Sequence, residues 1–333
     1  MPRSDTRATL SSVAAAAGVS LATVSKVVNG KDDVSAATRE RVRLLLDQHN
    51  YVPPGRRRAG RAPLVDLVVR SLTSQWAMEI IRGVTRSGLD VVVSAMTDAP
   101  DPARWAERVA AAHRAGVIVV TSEFDAAERQ VFERAGVPFV VVDPVDLPDP
   151  DVPSLSATNW AGGLAATRHL LQLGHRRIAA IGGPPTMLCS RARLDGYRSA
   201  LHDAGVPVDP VLVRDGTFDN TGGYEAAVAL LALPDRPTAI FAGSDEQAFG
   251  VYEAARRAGL AVPADLSVVG FDDLPIARWA TPPMTTVRQP LAQMGQVAAQ
   301  MLQTLMDGRR LDAYHVELAT ELVVRSSTQE PPA

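Results

Sequence analysis

The chain has 333 residues, which is enough for about two or three domains, and its 46% hydrophobic and 21% charged residues exclude wholesale disorder. No apolar run reaches about 18 residues and the first residues contain no apolar signal segment, so neither a transmembrane helix nor secretion is expected. A single cysteine, Cys189, cannot form an internal disulfide, which agrees with a protein of the reducing cytoplasm.

The first 62 residues are basic, with eleven Lys/Arg against five Asp/Glu, whereas the remaining residues hold 23 against 32. A basic head on an acidic body predicts that the head binds nucleic acid. Thr9 is a suitable N-cap for a first helix, and Gly18 suits the left-handed position that ends it. Ser20 caps a second helix that ends at Asn29-Gly30, and a third helix is predicted over about 36–49. Two short helices around a glycine-containing turn predict a helix-turn-helix.

The second helix is predicted to turn its valines inward and a largely polar face outward. The inward residues are Val24, Val27 and Val28, and the outward ones are Leu21, Ala22, Ser25, Lys26 and Asn29. From the spacing alone, a small helical bundle with no DNA role is an equal alternative. The residues are more specific: T-L-x-x-V-A-x-x-A-G-V-S-x-x-T-V-S-[RK]-V-x-N-G, then V-S-x-x-T-R-x-R-V and Y-x-P, resembles the head of lactose-repressor (LacI/GalR) family regulators.

The resemblance implies roles for individual side chains of the head. Base edges would be read by the two residues after the Ser20 cap and by the following basic residue: Leu21, Ala22 and Lys26. Lys26 can donate to guanine, whereas Leu21 and Ala22 offer only apolar contacts, and packing of Leu21 on the third helix is the alternative. Phosphate contacts are expected from the remaining polar residues of the motif. These are Ser20, Thr23, Ser25 and Asn29, and Thr9 and Tyr51 are further expected DNA-binding residues.

The segment after Tyr51 departs from the family pattern. Relatives carry a short hinge helix with a leucine that wedges into the operator, but here no leucine precedes Leu64. Gly55 and Gly60 each disfavour a helix by about 1 kcal/mol. Four arginines in six residues suggest a substitute that enters a narrow minor groove or neutralises phosphates, and a solvated basic linker is the alternative. We expect much of the DNA affinity to come from Arg56, Arg57 and Arg58.

From Leu64 onward, short β-branched runs alternate with helical segments. The predicted strands are 64–69, 89–95, 116–121, 138–143, 177–182, 238–243 and 266–272. Several helices are predicted to end in a C′ glycine, namely Gly116, Gly136, Gly205 and Gly259. This alternation predicts two lobes of parallel sheet covered by helices on both faces, with a ligand cleft beyond the carboxyl ends of the strands.

Polar side chains directly follow three of these strands, where such a cleft would lie. They are Asp143, Ser244-Asp245 and Asp272-Asp273, and Arg193 lies in the run SRARLDGY. Three separate helix caps are the alternative to one convergent polar site.

The body also resembles the lactose-repressor family, whose lobes are similar to periplasmic sugar-binding proteins. The motifs are GHRRIAAIGGP, SRARLDGY, AIFAGSDEQAFG, VPADLSVVGFDDLP and PPMTTVRQP. The resemblance implies that effector hydroxyls are held by Asp143, Arg193, Ser244 or Asp245, and Asp272, with Gln289 beside them. It places Phe218 against the ligand and Trp76 in the cleft or at the dimer face, with core packing as the alternative for each. Thr158-Asn159 departs from the usual Asp-Asn.

These observations predict an all-α helix-turn-helix head over residues 1–52, a hinge over 53–63, and an α/β effector-binding and dimerisation domain over 64–333 with two periplasmic-binding-protein-like lobes. The N-lobe comprises about 64–158 and 290–315, and the C-lobe about 159–289 and 316–328. The resemblance implies a homodimer that reads a pseudo-palindromic operator and responds to a small carbohydrate. A purine or other non-sugar effector, and an activator rather than a repressor, are the alternatives; the sequence does not distinguish inducer from co-repressor.

An enzyme is the rival class, because sheets of this kind host many enzymes. No G-x-G-x-x-G follows a strand, and neither a phosphate-binding G-x-x-x-x-G-K-[ST] nor H-E-x-x-H occurs. Cys189 could form a nucleophile pair with His175 or His202, but a lone cysteine of this kind is usually inert. His113, His169 and His175 lack metal-ligand spacing, so neither a metal nor a cofactor is expected. The head argues against a third class, a secreted binding protein.

Overall fold

The computed structural model describes residues 10–28, 34–48, 63–96, 102–112, 114–120 and 126–332. Residue contacts divide the chain into two units, which we call the head (Met1–Arg61) and the body (Ala62–Ala333). Within the described ranges, every helix is too short or too polar to cross a membrane.

The described part of the head contains three helices, α1 (Leu10–Ala17), α2 (Leu21–Val28) and α3 (Ala36–Gln48). Gly18 adopts φ +64° and ends α1, as predicted, and the Ser20 hydroxyl accepts the Thr23 N–H at 3.1 Å at the start of α2. The helices share a small apolar core, which confirms the predicted helix-turn-helix. Its buried members are Val13, Ala14, Ala17, Val24, Val27, Val42 and Leu46.

The body alternates strands and helices along the chain. The strands are β1 (Leu64–Val69), β2 (Asp90–Ala95), β3 (Gly116–Val120), β4 (Phe139–Val142), β5 (Ser154–Ala157), β6 (Ile178–Ile181), β7 (Val213–Arg214), β8 (Ala239–Ala242), β9 (Ser267–Asp272), β10 (Thr285–Arg288), β11 (His315–Leu318) and β12 (Glu321–Val323). The helices are α4 (Gln75–Thr85), α5 (Pro102–Ala111), α6 (Ala126–Ala135), α7 (Asn159–Gln172), α8 (Leu188–Asp203), α9 (Asn220–Leu231), α10 (Asp245–Arg257), α11 (Pro275–Trp279) and α12 (Leu291–Met306), with a 3-10 turn at Pro210–Leu212.

The first sheet has six parallel strands in the order β11-β5-β4-β3-β1-β2. Successive strand residues point to opposite faces, which creates two apolar layers. One layer packs Leu67 and Ile118 against α4 and α12, and the other packs Val68 and Val119 against α5 and α6. We call this sheet with its helices the first lobe.

The second sheet has the order β12-β10-β9-β8-β6-β7 and is parallel except for β12, which runs antiparallel to β10. One face packs Ile181 and Ile240 against α9 and α10, and the other packs Ala180 and Phe241 against α7 and α8. This is the second lobe. The predicted fold of two helix-covered, mainly parallel sheets is therefore confirmed.

The chain passes between the two lobes at three crossings, which lie between Ala157 and Asn159, between Arg288 and Leu291, and between Leu318 and Glu321. The predicted start of the second C-lobe segment at residue 316 is wrong. The reason is that β11 (His315–Leu318) pairs parallel with β5 and so extends the first sheet. The side chains of this edge strand alternate between exposed and half-buried, so its sequence lacks the apolar run that marks the central strands.

Gly116 is not a C′ glycine, in contrast to Gly136, Gly205 and Gly259, whose φ values are +64°, +67° and +72°. It is the first residue of β3, and the Leu302 side chain of α12 occupies the space that a Cβ would need. The glycine therefore serves close packing rather than a left-handed turn.

Glycines also bring three helix pairs into backbone contact. Each helix of a pair contributes one glycine, and a Cβ at any of these positions would overlap the backbone of the partner helix. The glycines are Gly83 and Gly295 (α4 and α12), Gly163 and Gly196 (α7 and α8), and Gly223 and Gly250 (α9 and α10).

Gly163→Ala is expected to lower the free energy of unfolding by about 1–3 kcal/mol, because its Cβ would meet the backbone carbonyl of Arg193. Urea unfolding measures the change. Gly216→Ala is the matched control, because a Cβ there meets its nearest atoms only at 3.6 Å or more. Equal effects at the two positions would contradict the close-packing explanation.

Candidate functional site

The head presents the predicted outward face of α2. Ser20, Leu21, Ala22 and Lys26 are exposed, and Leu21 keeps 50% of its surface, which does not fit the alternative of packing on α3. Thr23 and Ser25 are half-buried at the edge of this face. The Ser20 and Thr23 hydroxyls lie 2.8 Å apart. The other predicted DNA contacts lie outside the described residues; they are Thr9, Asn29, Tyr51, Arg56, Arg57 and Arg58.

The body contains a cleft of about 440 Å³ between the two lobes. It is lined largely by residues at or just beyond the carboxyl ends of strands, including Arg70 after β1, Asp143 after β4 and Ser244 after β8. The first turns of α4 and α8 complete it with Trp76 and Cys189. Strands of parallel sheets place such residues together because their carboxyl ends share one edge.

Arg193 is the central cation of the cleft and is only 4% exposed. Its Nε donates to Oδ1 of Asn159 at 2.8 Å and its Nη1 donates to the Gly243 carbonyl at 2.5 Å. Nη1 also lies 3.9 Å from Oδ1 of Asp272. The guanidinium covers the ring of Phe271 at 3.9 Å from the ring centre. These contacts hold Arg193 rigidly in position.

Two buried carboxylates share the cleft with Arg193. Burial raises the pKa of Asp143, and Arg193 and the Cys189 thiol, which hydrogen-bonds to Asp143, only partly oppose this. Burial also raises the pKa of Asp272 to about 7, against the opposing effects of Arg193 and of Gln289, whose Nε2 donates to Asp272 Oδ1 at 2.6 Å. Both aspartates have positive φ values, +52° and +120°, which places them in strained backbone. Buried carboxylates with so few donors can accept further hydrogen bonds from a ligand.

Asp245 does not belong to the cleft, which corrects one of the predicted positions. It is fully buried, and its oxygens accept the Leu274 N–H at 2.7 Å and the Thr286 hydroxyl at 2.5 Å. Its carboxylate therefore joins the start of α10 to the turn after β9 and to β10. Of the two sequence alternatives, Ser244 lines the cleft and Asp245 does not.

Ser244 lines the cleft and Gln289 contacts the lining residue Asp272, and both hydrogen-bond mainly to other protein groups. The Ser244 hydroxyl caps α10 by accepting the Gln247 N–H at 3.0 Å, and it donates to the Phe218 carbonyl at 2.7 Å. Gln289 lies behind Asp272 rather than on the cleft surface. Gln289 was predicted as an effector-binding residue beside this group, but it lies outside the cleft lining and orients Asp272.

Phe218 and Trp76 both line the cleft and are half-buried, the first from the second lobe and the second from the first lobe. Asn159 keeps the position expected from the resemblance, since it connects Arg193 to the Ala157 carbonyl. At the departure from the family pattern, the Thr158 hydroxyl accepts the Thr320 N–H at 2.9 Å and thereby ties the first crossing to the third.

Several cleft residues were absent from the sequence prediction. Arg70 was missed although it directly follows β1, the same signal that identified Asp143. Glu246, Thr217 and Asp219 were missed because they lie in the first turn of a helix or in a loop, where polar residues are common.

Cys189 and His175, which were considered as a nucleophile pair, have separate environments. Burial raises the pKa of the Cys189 thiol, which keeps it protonated. His175 is held elsewhere by Thr238 and Ser267, at 2.8 Å and 3.1 Å. Among the described residues, His, Cys, Asp and Glu form no group of three that could hold a metal ion.

Comparisons with known proteins match both units. The description "Bacterial regulatory proteins, lacI family" matches residues 9–54, and "Periplasmic binding protein-like domain" matches residues 167–328. The HTH-type transcriptional regulator CelR of Thermobifida fusca is 36% identical over 96% of this chain and 98% of its own length. The ribose operon repressor of Escherichia coli is 33% identical over 96% of this chain and 99% of its own length.

Solved structures give the same result. A transcriptional regulator CelR-cellobiose complex aligns with a TM-score of 0.74 and 37% identity, covering 96% of this chain and all of the other. The lac repressor dimer bound to operator and the anti-inducer ONPF aligns with a TM-score of 0.71 and 28% identity, covering 97% of this chain and all of the other.

Proposed function

The chain belongs to the lacI family of bacterial regulatory proteins, and from this premise we propose that it is a repressor whose binding to an operator is controlled by a small carbohydrate in the cleft. Its relatives are named regulators and repressors, so the chain is a transcriptional regulator and not an enzyme. A regulator of this kind acts in the cytoplasm, where the DNA is.

The observation that carries the effector proposal is the buried pair of carboxylates beside one guanidinium. Asp143 and Asp272 are each 5% exposed, and within the described part of the chain the side-chain donors that reach them are a thiol, an amide and the nearby Arg193. Vicinal hydroxyls supply the missing donors, and carboxylates accept them in pairs. Phe218 and Trp76 add aromatic surface for the apolar face of a sugar ring. One similar structure is a complex with cellobiose, which supports the same class.

The head supports the DNA part of the proposal. Leu21, Ala22 and Lys26 lie on an exposed face of α2, with the Ser20 cap at its start. We propose that this helix enters the major groove and that Lys26 donates to a guanine edge. A homodimer would place two heads on the half-sites of a pseudo-palindrome, as in the lac repressor dimer bound to operator.

Effector binding can change the affinity of the head for its operator only if the effector favours one arrangement of the lobes. The lobes touch across the cleft: the Leu188 N–H donates to the Val145 carbonyl at 2.7 Å, and Arg191 pairs with Asp146 at 3.0 Å. A carbohydrate that contacts both lobes would shift the balance between open and closed clefts. Coupling of this kind is typically about 1–3 kcal/mol, or roughly 5- to 150-fold in operator affinity. Induction and co-repression differ only in which arrangement the ligand prefers.

Fluorescence anisotropy on DNA from upstream of the protein's own gene tests the proposal. The titration is run at about 150 mM salt against scrambled competitor, with and without mono- and disaccharides and purines. Competitor-resistant binding that one sugar alters is the expected result. Binding that only a purine alters would contradict the carbohydrate effector, and binding that does not distinguish sequences would contradict the operator.

Lys26→Ala is expected to reduce operator affinity by about 1–3 kcal/mol while changing binding to scrambled DNA much less. The reason is that Lys26 is assigned to a base edge. Arg43→Ala removes the same charge from the exposed surface of α3 and serves as the control. If Lys26→Ala lowered the affinity for operator and for scrambled DNA equally, Lys26 would contact a phosphate rather than a base edge.

Effector affinity is expected to rise with pH across about pH 6 to 8. Burial raises the pKa of Asp272 to about 7, and only the ionised carboxylate accepts hydrogen bonds from hydroxyls through both oxygens. Binding therefore favours loss of the proton, and the gain levels off once Asp272 is ionised in the free protein. Calorimetric titrations of the effector at three pH values measure this change in affinity. Affinity that does not depend on pH would contradict the role of Asp272, and Asp272→Asn is expected to weaken the pH dependence of any binding that remains.

A further inference from the structure

Burial divides the cleft into two parts. We call the floor the lining residues that are less than a tenth exposed and charged or polar: Asp143, Cys189, Arg193, Ser244 and Asp272. We call the mouth the exposed or half-buried polar residues: Arg70, Ser71, Thr73, Ser74, Thr217, Asp219 and Glu246. In the proposed function, the floor residues bind the hydroxyls of one sugar ring. The mouth has no role in that account.

The mouth presents hydrogen-bonding groups from both lobes. Arg70 comes from the first lobe, directly after β1, whereas Asp219 and Glu246 come from the second lobe at the starts of α9 and α10. One Asp219 oxygen accepts the Gly222 N–H at 2.8 Å. One Glu246 oxygen accepts the Gln75 N–H at 3.4 Å, which is a long and weak hydrogen bond across the cleft. A ligand with hydroxyl groups can replace that bond with shorter ones.

We infer that the mouth is a second sugar subsite and that the effector is an uncharged disaccharide. The inference rests on the proposed function and specifies its ligand. A cleft of about 440 Å³ offers more room than one sugar ring fills, and it lies within the range of drug-sized ligand sites. It also carries two aromatic side chains on opposite lobes, Phe218 and Trp76, so each of two rings can have a platform.

The charges of the lining residues disfavour other ligands of similar size, such as phosphorylated sugars and nucleosides. Among the lining residues that the structure describes, four carboxylates face two guanidiniums, so phosphorylated sugars and uronic acids would add negative charge to an already acidic site. A nucleoside would fit by size, but the mouth offers it mostly hydroxyls and ionised groups rather than a second apolar face. A second polyhydroxyl ring matches that lining with donors and acceptors.

A second sugar ring in the mouth would also influence how the effector changes operator binding. Arg70 and Gln75 belong to the first lobe, and Asp219 and Glu246 to the second, so a ring in the mouth would join the lobes near the edge of the cleft. A single ring on the floor would lack these contacts. A disaccharide is therefore expected to change operator binding more than its component monosaccharide does at saturation.

Isothermal titration calorimetry of the full-length protein tests the subsite. The probes are cellobiose, maltose and lactose, the monosaccharides glucose and galactose, and adenosine as the nucleoside. At least one disaccharide is expected to bind about 10- to 100-fold more tightly than its component monosaccharides, as expected for one or two added hydrogen bonds to charged groups.

Variants separate the mouth from the floor. Asp219→Asn with Glu246→Gln is expected to weaken disaccharide binding about tenfold or more and monosaccharide binding far less. Asp143→Asn is expected to weaken both. Asp235→Asn, on an exposed aspartate outside the cleft lining, is the matched control and is expected to change neither.

Each result bears on a different claim. A monosaccharide that binds as tightly as every disaccharide, or a mouth variant with unchanged disaccharide affinity, overturns the second subsite and leaves the carbohydrate effector standing. Binding of adenosine alone, or of none of the probes, overturns the carbohydrate effector and the subsite together. Loss of disaccharide binding in the mouth variant, with monosaccharide binding retained, supports both.

Discussion

Replacing Arg193 with glutamine is expected to abolish effector binding and to lower the free energy of unfolding by about 3–5 kcal/mol. The guanidinium is 4% exposed, lies 3.9 Å from Asp272 and donates to Asn159 and the Gly243 carbonyl. It is also the largest influence that lowers the pKa values of Asp143 and Asp272 against burial. Its loss leaves two buried carboxylates without their nearest cation, while binding of operator in the absence of effector is expected to persist.

Urea unfolding at about pH 6 and pH 8 separates the electrostatic cause from a general packing defect. Without Arg193 the pKa values of both aspartates rise further, so the folded protein binds protons more tightly than the unfolded chain. The deficit relative to the wild type should then grow as pH rises. Arg198→Gln on the same helix removes an exposed pair with Asp195 at 2.7 Å and is expected to cost less than about 1 kcal/mol. Equal deficits at the two pH values would contradict the electrostatic cause.

Asp273→Ala is expected to lower the free energy of unfolding by about 3–5 kcal/mol, as the replacement of Arg193 does. Asp273 nevertheless lies outside the cleft lining. Its side chain is 2% exposed and accepts Arg288 Nε at 2.7 Å and Arg325 Nη2 at 2.5 Å. Arg288 ends β10 at the second crossing and also pairs with Glu321, the first residue after the third crossing. Asp273 thus joins the end of β9, next to Asp272, to two of the three crossings.

The pH dependence of this contribution has a defined sign. Burial would raise the pKa of Asp273, but hydrogen bonds from Arg288 and Arg325 outweigh it and hold the pKa below its ordinary value. An aspartate with a lowered pKa stabilises the fold above its unfolded pKa, near 4, and this stabilisation is lost as pH falls through the folded pKa. The difference in unfolding free energy between wild type and Asp273→Ala should therefore shrink on acidification below about pH 4.

Asp203→Ala is the matched control for this second prediction. It breaks an exposed pair with Arg168 at 2.7 Å, where both side chains are about half exposed, and is expected to cost less than about 1 kcal/mol. A loss at Asp273 no larger than at Asp203, or one that does not vary with pH, would contradict the buried-pair explanation.

The sequence predicted best those features that depend on neighbours along the chain. Gly18 and Ser20 were identified as the end of one helix and the cap of the next because left-handed backbone and N-caps select their residues locally. The central strands were found because strands buried on both faces read as continuous apolar runs. Asp143, Arg193, Phe218 and Asp272 were placed in the cleft by motif and by their positions relative to strands, and the structure places all four there.

Sequence-based predictions were wrong where residues share one sequence pattern but have different surroundings in the folded protein. Ser244 and Asp245 both follow β8, but one faces the cleft and the other turns into the junction of β9 and β10. Gly116 follows an alanine as the C′ glycines do, yet its function is to admit Leu302. The lobe boundary predicted at residue 316 falls inside β11, because a short edge strand with half-exposed side chains has no sequence pattern that identifies the sheet it joins.

The sequence by itself thus determined the helix-turn-helix head, the two helix-covered sheets, the family and the acidic residues at the strand ends, since each depends on local backbone chemistry or on a run of residues. Only the tertiary structure decided which carboxylates face the cleft and that Arg70, Asp219 and Glu246 gather at its mouth. It also decided that Asp273 joins the end of β9 to two crossings. These depend on contacts between segments distant in the chain, and a single sequence does not encode such contacts in any local pattern.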